Sequence, residues 1–216
     1  MRLTDFAGRM LYAGMVIVCA LVITSCAATL ALHDSLIGGA PRAKSVRAGQ
    51  LYTGENLNIR APNSDGWLLA GSSVEGMHFA RRGTAPNESF AAQVLFFIPS
   101  TAARGNRDEF LSSIKKQFEA ETIAGRFSAV ESEFKHAEER SYLCVSARSV
   151  IKDTEARVSP TRQEVLLLQA KSLYCQHPKN PYMGFALIYS HRGQSLYPNL
   201  DAEAQSFIDG VQVPSH

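Results

Sequence analysis

The chain has 216 residues, with 22 basic and 20 acidic side chains and a formal net charge of +2. Residues 1–25 hold two of the basic side chains and one of the acidic ones, so 20 and 19 remain in the rest of the chain. This near neutrality argues against a nucleic-acid binder, which would carry a basic stripe, and against a disordered acidic tail. The hydrophobic content of 45% is ordinary for a globular protein.

The first 35 residues have the layout of an export signal. Arg2 and Arg9 lie in a short polar start, and a charge-free run of 23 residues follows from Met10 to Leu32. Within that run, Ile23-Thr24-Ser25-Cys26 resembles the lipobox of bacterial lipoproteins, in which the Cys is lipidated and begins the mature chain. The resemblance implies a signal peptide over residues 1–25 and a lipid on Cys26. It also implies a bacterial cell-envelope protein that is anchored to the membrane and faces the periplasm.

Two other interpretations of the same segment remain open. A spanning helix needs roughly 20 apolar residues, so the run could be an uncleaved membrane anchor. Ser25-Cys26-Ala27 also loosely fits the small-x-small rule for simple cleavage after Ala27. Under the lipoprotein interpretation, Ala27 rather than Asp after the Cys favours the outer membrane. All three interpretations place the same domain outside the cytoplasm.

Two cysteines belong to the folded part of the chain. Cys144 and Cys175 each lie in a strand-like segment, and an even pair in an exported domain predicts one disulfide. Two separate buried thiols are the alternative. The disulfide would close a loop of about 30 residues and contribute roughly 3 kcal/mol in the chain-entropy model.

The remaining sequence predicts a flexible tether over residues 26–50 and a single globular domain over residues 51–213. Periodicity and turn residues predict strands at 57–60, 67–70, 74–81, 90–98, 130–136, 140–151, 164–175 and 182–191. A charged loop is expected from Lys152 to Thr161. One helix is predicted to begin after the N-cap Asn106 and another after the N-cap Asn199.

Short connections between these strands predict a largely antiparallel central sheet, and each amphipathic helix needs sheet to cover. The fold class is therefore α+β, with Trp67 expected in the core between the sheet and a helix.

This pattern resembles the PsbP-like superfamily, which includes the bacterial DcrB envelope lipoproteins. The resemblance lies in Leu57-Asn58-Ile59-Arg60-Ala61-Pro62, the Gly66-Trp67 that follows, the long helix after Phe97 and the final helix with Phe207-Ile208. It implies an α/β/α sandwich that serves as a scaffold or binding module. The family supplies no catalytic residue that could be carried over to this chain.

The chain matches no strong catalytic motif. Gly71-Ser72-Ser73-Val74-Glu75 has Glu where a nucleophile elbow needs its second Gly. His136-Ala137-Glu138-Glu139 lacks the second His of the zinc-protease motif. The six His residues show no metal-ligand spacing. We therefore expect no catalytic residue, no metal and no cofactor.

The most promising contact surface in the sequence is the loop after the second Cys. His177, Pro178 and Tyr182 are predicted to contact a partner there, because two prolines stiffen the loop. The predicted function is a membrane-tethered, non-enzymatic lipoprotein that binds a protein or supports an envelope complex. The alternatives are a small-molecule or metal-binding lipoprotein and a hydrolase with an unrecognised site.

Overall fold

The structure, a computed structural model, describes residues 43–122, 126–159 and 162–215. The export-signal segment and Cys26 lie outside these residues. The described elements are, in chain order, β1 (Lys44–Ser45), β2 (Leu51–Tyr52), β3 (Asn58–Arg60), β4 (Leu68–Ser73), β5 (Gly76–Arg82), β6 (Ser89–Phe97), α1 (Arg107–Thr122), β7 (Phe127–His136), β8 (Cys144–Ser159), β9 (Arg162–Gln176), β10 (Gly184–Gly193), α2 (Leu200–Asp209) and β11 (Val211–Gln212). Neither α1 nor α2 is long and apolar enough to cross a membrane.

Eight of the strands form one sheet in the order β1-β4-β5-β6-β10-β9-β8-β7, and β11-β3-β2 form a second, smaller sheet. Every pairing in both sheets is antiparallel. β10 lies inside the large sheet, between β6 and β9, and all but one of its residues are buried. This burial explains why β6 and β10 are apolar on both faces.

Alternate residues of β10 face two different layers. Phe185, Leu187 and Tyr189 join the core beneath α2, whereas Ala186 and Ile188 join the core beneath α1. We call these two sides of the large sheet the α2 face and the α1 face. The period of two along a strand therefore determines which layer each side chain enters.

Each helix contributes one apolar stripe to its layer. In α2 the buried residues are Leu200, Ala204, Phe207 and Ile208. In α1, Phe110 and Ile114 are buried against the opposite face of the sheet. Trp67 is 1% exposed within the α2-side core, which confirms its predicted place between the sheet and a helix.

The predicted fold class is confirmed as an antiparallel central sheet with two helices packed on it. The α/β/α sandwich is too helical a description, because the layer on the α2 face also contains the three-stranded sheet. The strands of that small sheet have only two or three residues each. Such short segments show no measurable periodicity in the sequence.

The boundary of the globular domain lies further toward the N-terminus than residue 50. Lys44 and Ser45 pair with Leu69 and Leu68 of β4. Val46 is 7% exposed, and its backbone N–H donates to the Trp67 carbonyl oxygen at 3.0 Å. Residues 44–45 of the predicted tether therefore form an edge strand, which is too short to show periodicity in the sequence.

The predicted loop from Lys152 to Thr161 is also wrong. β8 continues to Ser159 and β9 starts at Arg162, with Asp153 opposite Leu166 and Ala156 opposite Glu164. The register shifts between Asp153 and Ala156. This irregularity, together with the charges, hides the alternation that a strand normally shows.

The two predicted helix caps have different outcomes. The Asn106 side-chain oxygen accepts the Glu109 backbone N–H at 3.2 Å, which confirms an N-cap for α1. Asn199 precedes α2, but its side chain makes no capping hydrogen bond. Its carbonyl accepts the Glu203 N–H at 3.1 Å instead.

Candidate functional site

The predicted disulfide is present between β8 and β9. Cys144 and Cys175 are paired positions of the two strands, with their sulfur atoms bonded and their Cα atoms 4.1 Å apart. Both residues are buried in the core on the α2 face. The bond therefore fastens the beginning of β8 to the end of β9, next to the loop that was expected to contact a partner.

His177 does not belong to an exposed contact surface. It is 5% exposed, and its ring lies against Phe185 with the ring centres 6.3 Å apart. Its Nδ1 accepts the Lys179 backbone N–H at 3.3 Å, and its Nε2 lies 3.3 Å from the Asn56 carbonyl oxygen. His177 comes two residues after the buried Cys175, so strand alternation turns its side chain toward the same core.

The other two residues of that prediction lie on the surface. Pro178 is exposed, and Tyr182 is 65% exposed. The guanidinium carbon of Arg104 lies 4.6 Å from the centre of the Tyr182 ring, within the range of a cation–π contact.

Strand pairing brings two further hydrophobic residues to the same end of the sheet. Ile98, which is 65% exposed, directly follows Phe97, the partner of Gly184 at the start of β10. Val74 is 94% exposed in the β4–β5 turn, where the Glu75 carbonyl accepts the Phe96 N–H at 2.9 Å. We call the surface formed by Val74, Ile98, Arg104, Pro178 and Tyr182 the sheet-end surface.

A polar network is built into the core on the α2 face. The Glu203 carboxylate accepts the hydroxyl of Tyr189, the hydroxyl of Tyr197 at 2.6 Å and the Arg81 guanidinium at 3.3 Å. Burial and the adjacent Glu203 raise the pKa of Tyr189. The hydrogen bond to Glu203, together with burial, raises the pKa of Tyr197. Both tyrosines remain protonated donors, so this network ties α2 to β10 and offers no activated nucleophile.

His191 and Glu88 form a further polar pair, in which the histidine is buried and the glutamate is partly buried. Nε2 of His191 lies 3.0 Å from Glu88 Oε1, and the histidine is 2% exposed. Burial lowers the pKa of His191, whereas the backbone N–H of Ala85 is the main cause of a lowered pKa at Glu88. The other ring nitrogen of His191 is buried without a hydrogen-bond partner. The pair therefore activates no hydroxyl or thiol, which a hydrolytic triad requires.

On the α1 face, Asp153 is completely buried between two arginines. Its oxygens accept Arg126 at 2.6 and 2.7 Å and Arg192 at 2.7 Å. Burial by itself raises the pKa of Asp153, but the hydrogen bond and charge of Arg126 and the charge of Arg192 outweigh that effect, and the net pKa is lowered. The group is an ion cluster that joins β8, β10 and the residue before β7.

Among the described residues, no group of three His, Cys, Asp or Glu side chains could hold a metal ion.

A charged cleft lies beside α2, with a volume of about 260 Å³. Its lining includes Glu133 and Lys135 of β7, Arg148 of β8, Lys171 of β9, Gln205 of α2 and Glu139 of the β7–β8 loop. We call it the α2 cleft. Sequence reasoning missed this site because its residues are spread over more than 70 positions and each one alone is typical of a solvated surface.

Comparison with known proteins shows a weak architectural resemblance to the PsbP fold. The chain is similar to the solution structure of cyanobacterial PsbP (CyanoP) from Synechocystis sp. PCC 6803, with a TM-score of 0.44 and 14% sequence identity. The match covers 82% of this chain and 96% of that one. No protein-family model and no curated protein sequence matches the chain.

Proposed function

We propose that this protein is a non-enzymatic binding module of the cell envelope, tethered to a membrane by its N-terminal segment and facing the periplasm. The sheet-end surface binds a protein partner. The observation that carries this proposal is the convergence of Val74, Ile98 and Tyr182 at one end of the sheet, each at least 65% exposed. Exposed hydrophobic residues that share one end of a sheet are candidates for an interaction site, whereas singly scattered ones need no such explanation.

The sheet-end surface has the composition of a protein-binding hot spot. Tyr and Arg are enriched among the residues that dominate binding energy, and Tyr182 and Arg104 lie in contact here. Complete burial of one large hydrophobic side chain contributes roughly 1.5–3 kcal/mol. Burial of Ile98 and Tyr182 together would therefore contribute several kcal/mol to an interface.

The loop that carries Tyr182 is already ordered. The His177 N–H donates to the Met183 carbonyl at 2.8 Å, the Met183 N–H donates to Asn180 at 3.0 Å, and the Tyr182 N–H donates to the Asn180 side chain at 3.0 Å. A partner would not need to immobilise this loop, so less of the binding energy is lost to ordering.

The proposed location rests on two independent features. The charge-free run with Cys26 has the pattern of a lipoprotein signal. The Cys144–Cys175 disulfide is of the kind that persists in oxidising compartments such as the periplasm. A lipid on Cys26 and the residues between Cys26 and β1 would hold the domain at the membrane, with the outer membrane favoured by Ala27.

The test is a cross-linked pull-down of the full-length protein from its native membranes, read by mass spectrometry. We expect one dominant partner for the wild type and its loss in a double variant, Ile98→Ser with Tyr182→Ala. Leu196→Ser is the matched control, because Leu196 is 51% exposed and follows the opposite end of β10. Retention of the partner by the double variant, or turnover of substrates by the purified protein on a broad hydrolase panel, would overturn the proposal.

A further inference from the structure

The α2 cleft exists because α2 covers only part of its face of the sheet. The helix packs over β9 and β10, while the neighbouring strands β8 and β7 extend beyond it to the edge of the sheet. Side chains of β7, β8 and β9 line the cleft, together with Glu139 of the β7–β8 loop and Gln205 of α2. The cavity of about 260 Å³ is many times larger than the space that one water needs. A ligand of the size of an amino acid or a dipeptide fits that space.

Lys171 is a half-buried cation in this cleft that forms no close ion pair with the described residues. Its Nζ donates to the neutral Gln205 Oε1 at 2.7 Å, and the Gln205 amide is oriented by its own hydrogen bond to Asp209 at 2.9 Å. Within the described ranges, no carboxylate lies at ion-pair distance from Lys171. An ammonium group has three donors, so two remain for another acceptor. Burial lowers the pKa of Lys171, and the more distant charges of Asp201, Asp209 and Glu139, which raise it, do not outweigh that effect.

A second cation lies directly across the strand from Lys171. Arg148 on β8 is the paired residue of Lys171 on β9, and both line the cleft. Like charges at directly opposed positions of a sheet destabilise it. Two acidic residues already flank Arg148: Asp201 lies 2.9 Å from it, and Glu133 is its paired residue on β7. Lys171 has no such neighbour in its strand pairing, and the cleft adjoins both cations. An anionic group placed in the cleft would relieve the repulsion and fill the free donors of Lys171.

The acidic residues of the cleft restrict which anion can enter. Glu133 and Glu139 line the same cavity, and Lys135, which also lines it, lies 3.7 Å from Glu133. Glu139 is thus the carboxylate that no lysine of the cleft pairs with at ion-pair distance, and a doubly charged phosphate meets it as a like charge. A ligand that carries one carboxylate and one ammonium group meets opposite charges on both sides. Specificity thus comes from attraction by Lys171 and Arg148 combined with repulsion of multiply charged anions.

We propose that the α2 cleft binds a small zwitterion of the amino-acid or short-peptide class, whose carboxylate lies between Lys171 and Arg148 and whose ammonium group faces Glu133 and Glu139. This site is separate from the sheet-end surface, so the two proposals can fail independently. Binding in the cleft would bridge α2 to β8 and β9 and stabilise the folded state in proportion to ligand concentration.

Thermal unfolding of the full-length protein with four probes at matched ionic strength tests the proposal. L-alanyl-L-alanine carries both charges, N-acetyl-L-alanine only the carboxylate, L-alaninamide only the ammonium group, and inorganic phosphate more than one negative charge. We expect a saturable rise in Tm that is largest for the dipeptide. Equal stabilisation by L-alaninamide or phosphate, or no saturable shift with any probe beyond that of sodium chloride, would overturn the proposal.

Variants locate the binding site. Lys171→Met keeps the aliphatic stem and removes the charge, and we expect it to weaken dipeptide binding at least tenfold. Lys152→Met is the matched control, because Lys152 is an exposed lysine on β8 that does not line the cleft. Arg148→Gln, at a side chain that is 54% exposed, provides a second cleft variant without disturbing the core. An equal loss in Lys152→Met, or unchanged dipeptide binding in both cleft variants, would show that the cleft is not the site.

Discussion

Cys144 and Cys175 are directly opposed residues of β8 and β9, and their bonded side chains lie in the core on the α2 face. Immediately after Cys175, the Gln176 N–H donates to the Leu143 carbonyl at 2.9 Å, which closes the ladder at the same end. The disulfide therefore fixes the register of the two longest strands where the loop with Tyr182 begins. This arrangement connects the stability of the domain with the geometry of the proposed binding surface.

Removal of the disulfide by the double variant Cys144→Ala with Cys175→Ala should lower the free energy of unfolding by about 3 kcal/mol, because the unfolded chain regains the entropy of a closed loop. The sequence separation of the two cysteines is 31 residues. Urea denaturation with and without a reducing agent measures the effect. The reducing agent should destabilise the wild type and leave the variant unchanged; a variant as stable as the oxidised wild type would contradict the prediction.

The free energy of unfolding should fall more when the shared acceptor Glu203 is changed than when one of its donors is removed. Glu203→Gln disturbs the bonds to Tyr189, Tyr197 and Arg81 and should cost about 2 kcal/mol, whereas Tyr189→Phe should cost about 1 kcal/mol.

Chemical denaturation of both variants measures these costs. Glu109→Gln, at an exposed position of α1, is the control and should change stability by less than about 0.5 kcal/mol. Costs at Glu203 no larger than those of the control would show that the network is not a source of stability.

Asp153 should make the protein sensitive to acid. Its folded-state pKa lies below the ordinary value of 3.8, so the unfolded chain takes up the proton first as the pH falls. The stabilisation is present above that ordinary value and is lost as the pH falls through the lowered pKa. Asp153→Asn should cost about 3 kcal/mol at neutral pH, because two partly buried guanidinium groups lose their counter-ion.

Urea midpoints of the wild type and of Asp153→Asn, measured from neutral pH down to about pH 3, separate this contribution from other titrating groups. The difference between the two proteins should shrink at the acidic end. Some acid sensitivity will remain in the variant, because the pKa of Glu88 is also lowered. A difference that stays constant with pH would contradict the assignment to Asp153.

Cys26→Ser should release or mislocalise the domain if the chain is anchored by a lipid, because serine cannot be lipidated through a thioether. Membrane fractionation of the variant and the wild type measures the effect, with Cys19→Ser as the matched control in the same charge-free run. Unchanged membrane association of Cys26→Ser would favour the uncleaved helix.

The parts of the fold that sequence reasoning predicted are those in which one pattern continues long enough to be recognised. β6 and β10 are runs of apolar residues, and the stripe of α1 repeats at Phe110 and Ile114. The parts that it missed are short or irregular. β1, β2 and β11 have two residues each, and the outer part of β8 has a register shift after Asp153.

His177 and Tyr182 show that the sequence also could not predict which side chains of the loop after Cys175 are exposed. They are five positions apart in one loop, and composition favours both of them equally as contact residues. The structure buries His177 against Phe185 and exposes Tyr182 beside Arg104. The direction of each side chain depends on the strand that precedes the loop and on residues more than 70 positions away.

The sequence by itself determined that strands dominate and that two amphipathic helices cover a largely antiparallel sheet, because these features depend on periodicity and on turn residues. It favoured a Cys144–Cys175 disulfide over two separate thiols, and its export pattern stays a prediction. Only the tertiary structure decided which charged residues share a surface. Lys171 and Arg148 are 23 positions apart and become neighbours through strand register, while Gln205 reaches them from α2. Register and helix packing are set by the whole core, and no local pattern of residues encodes them.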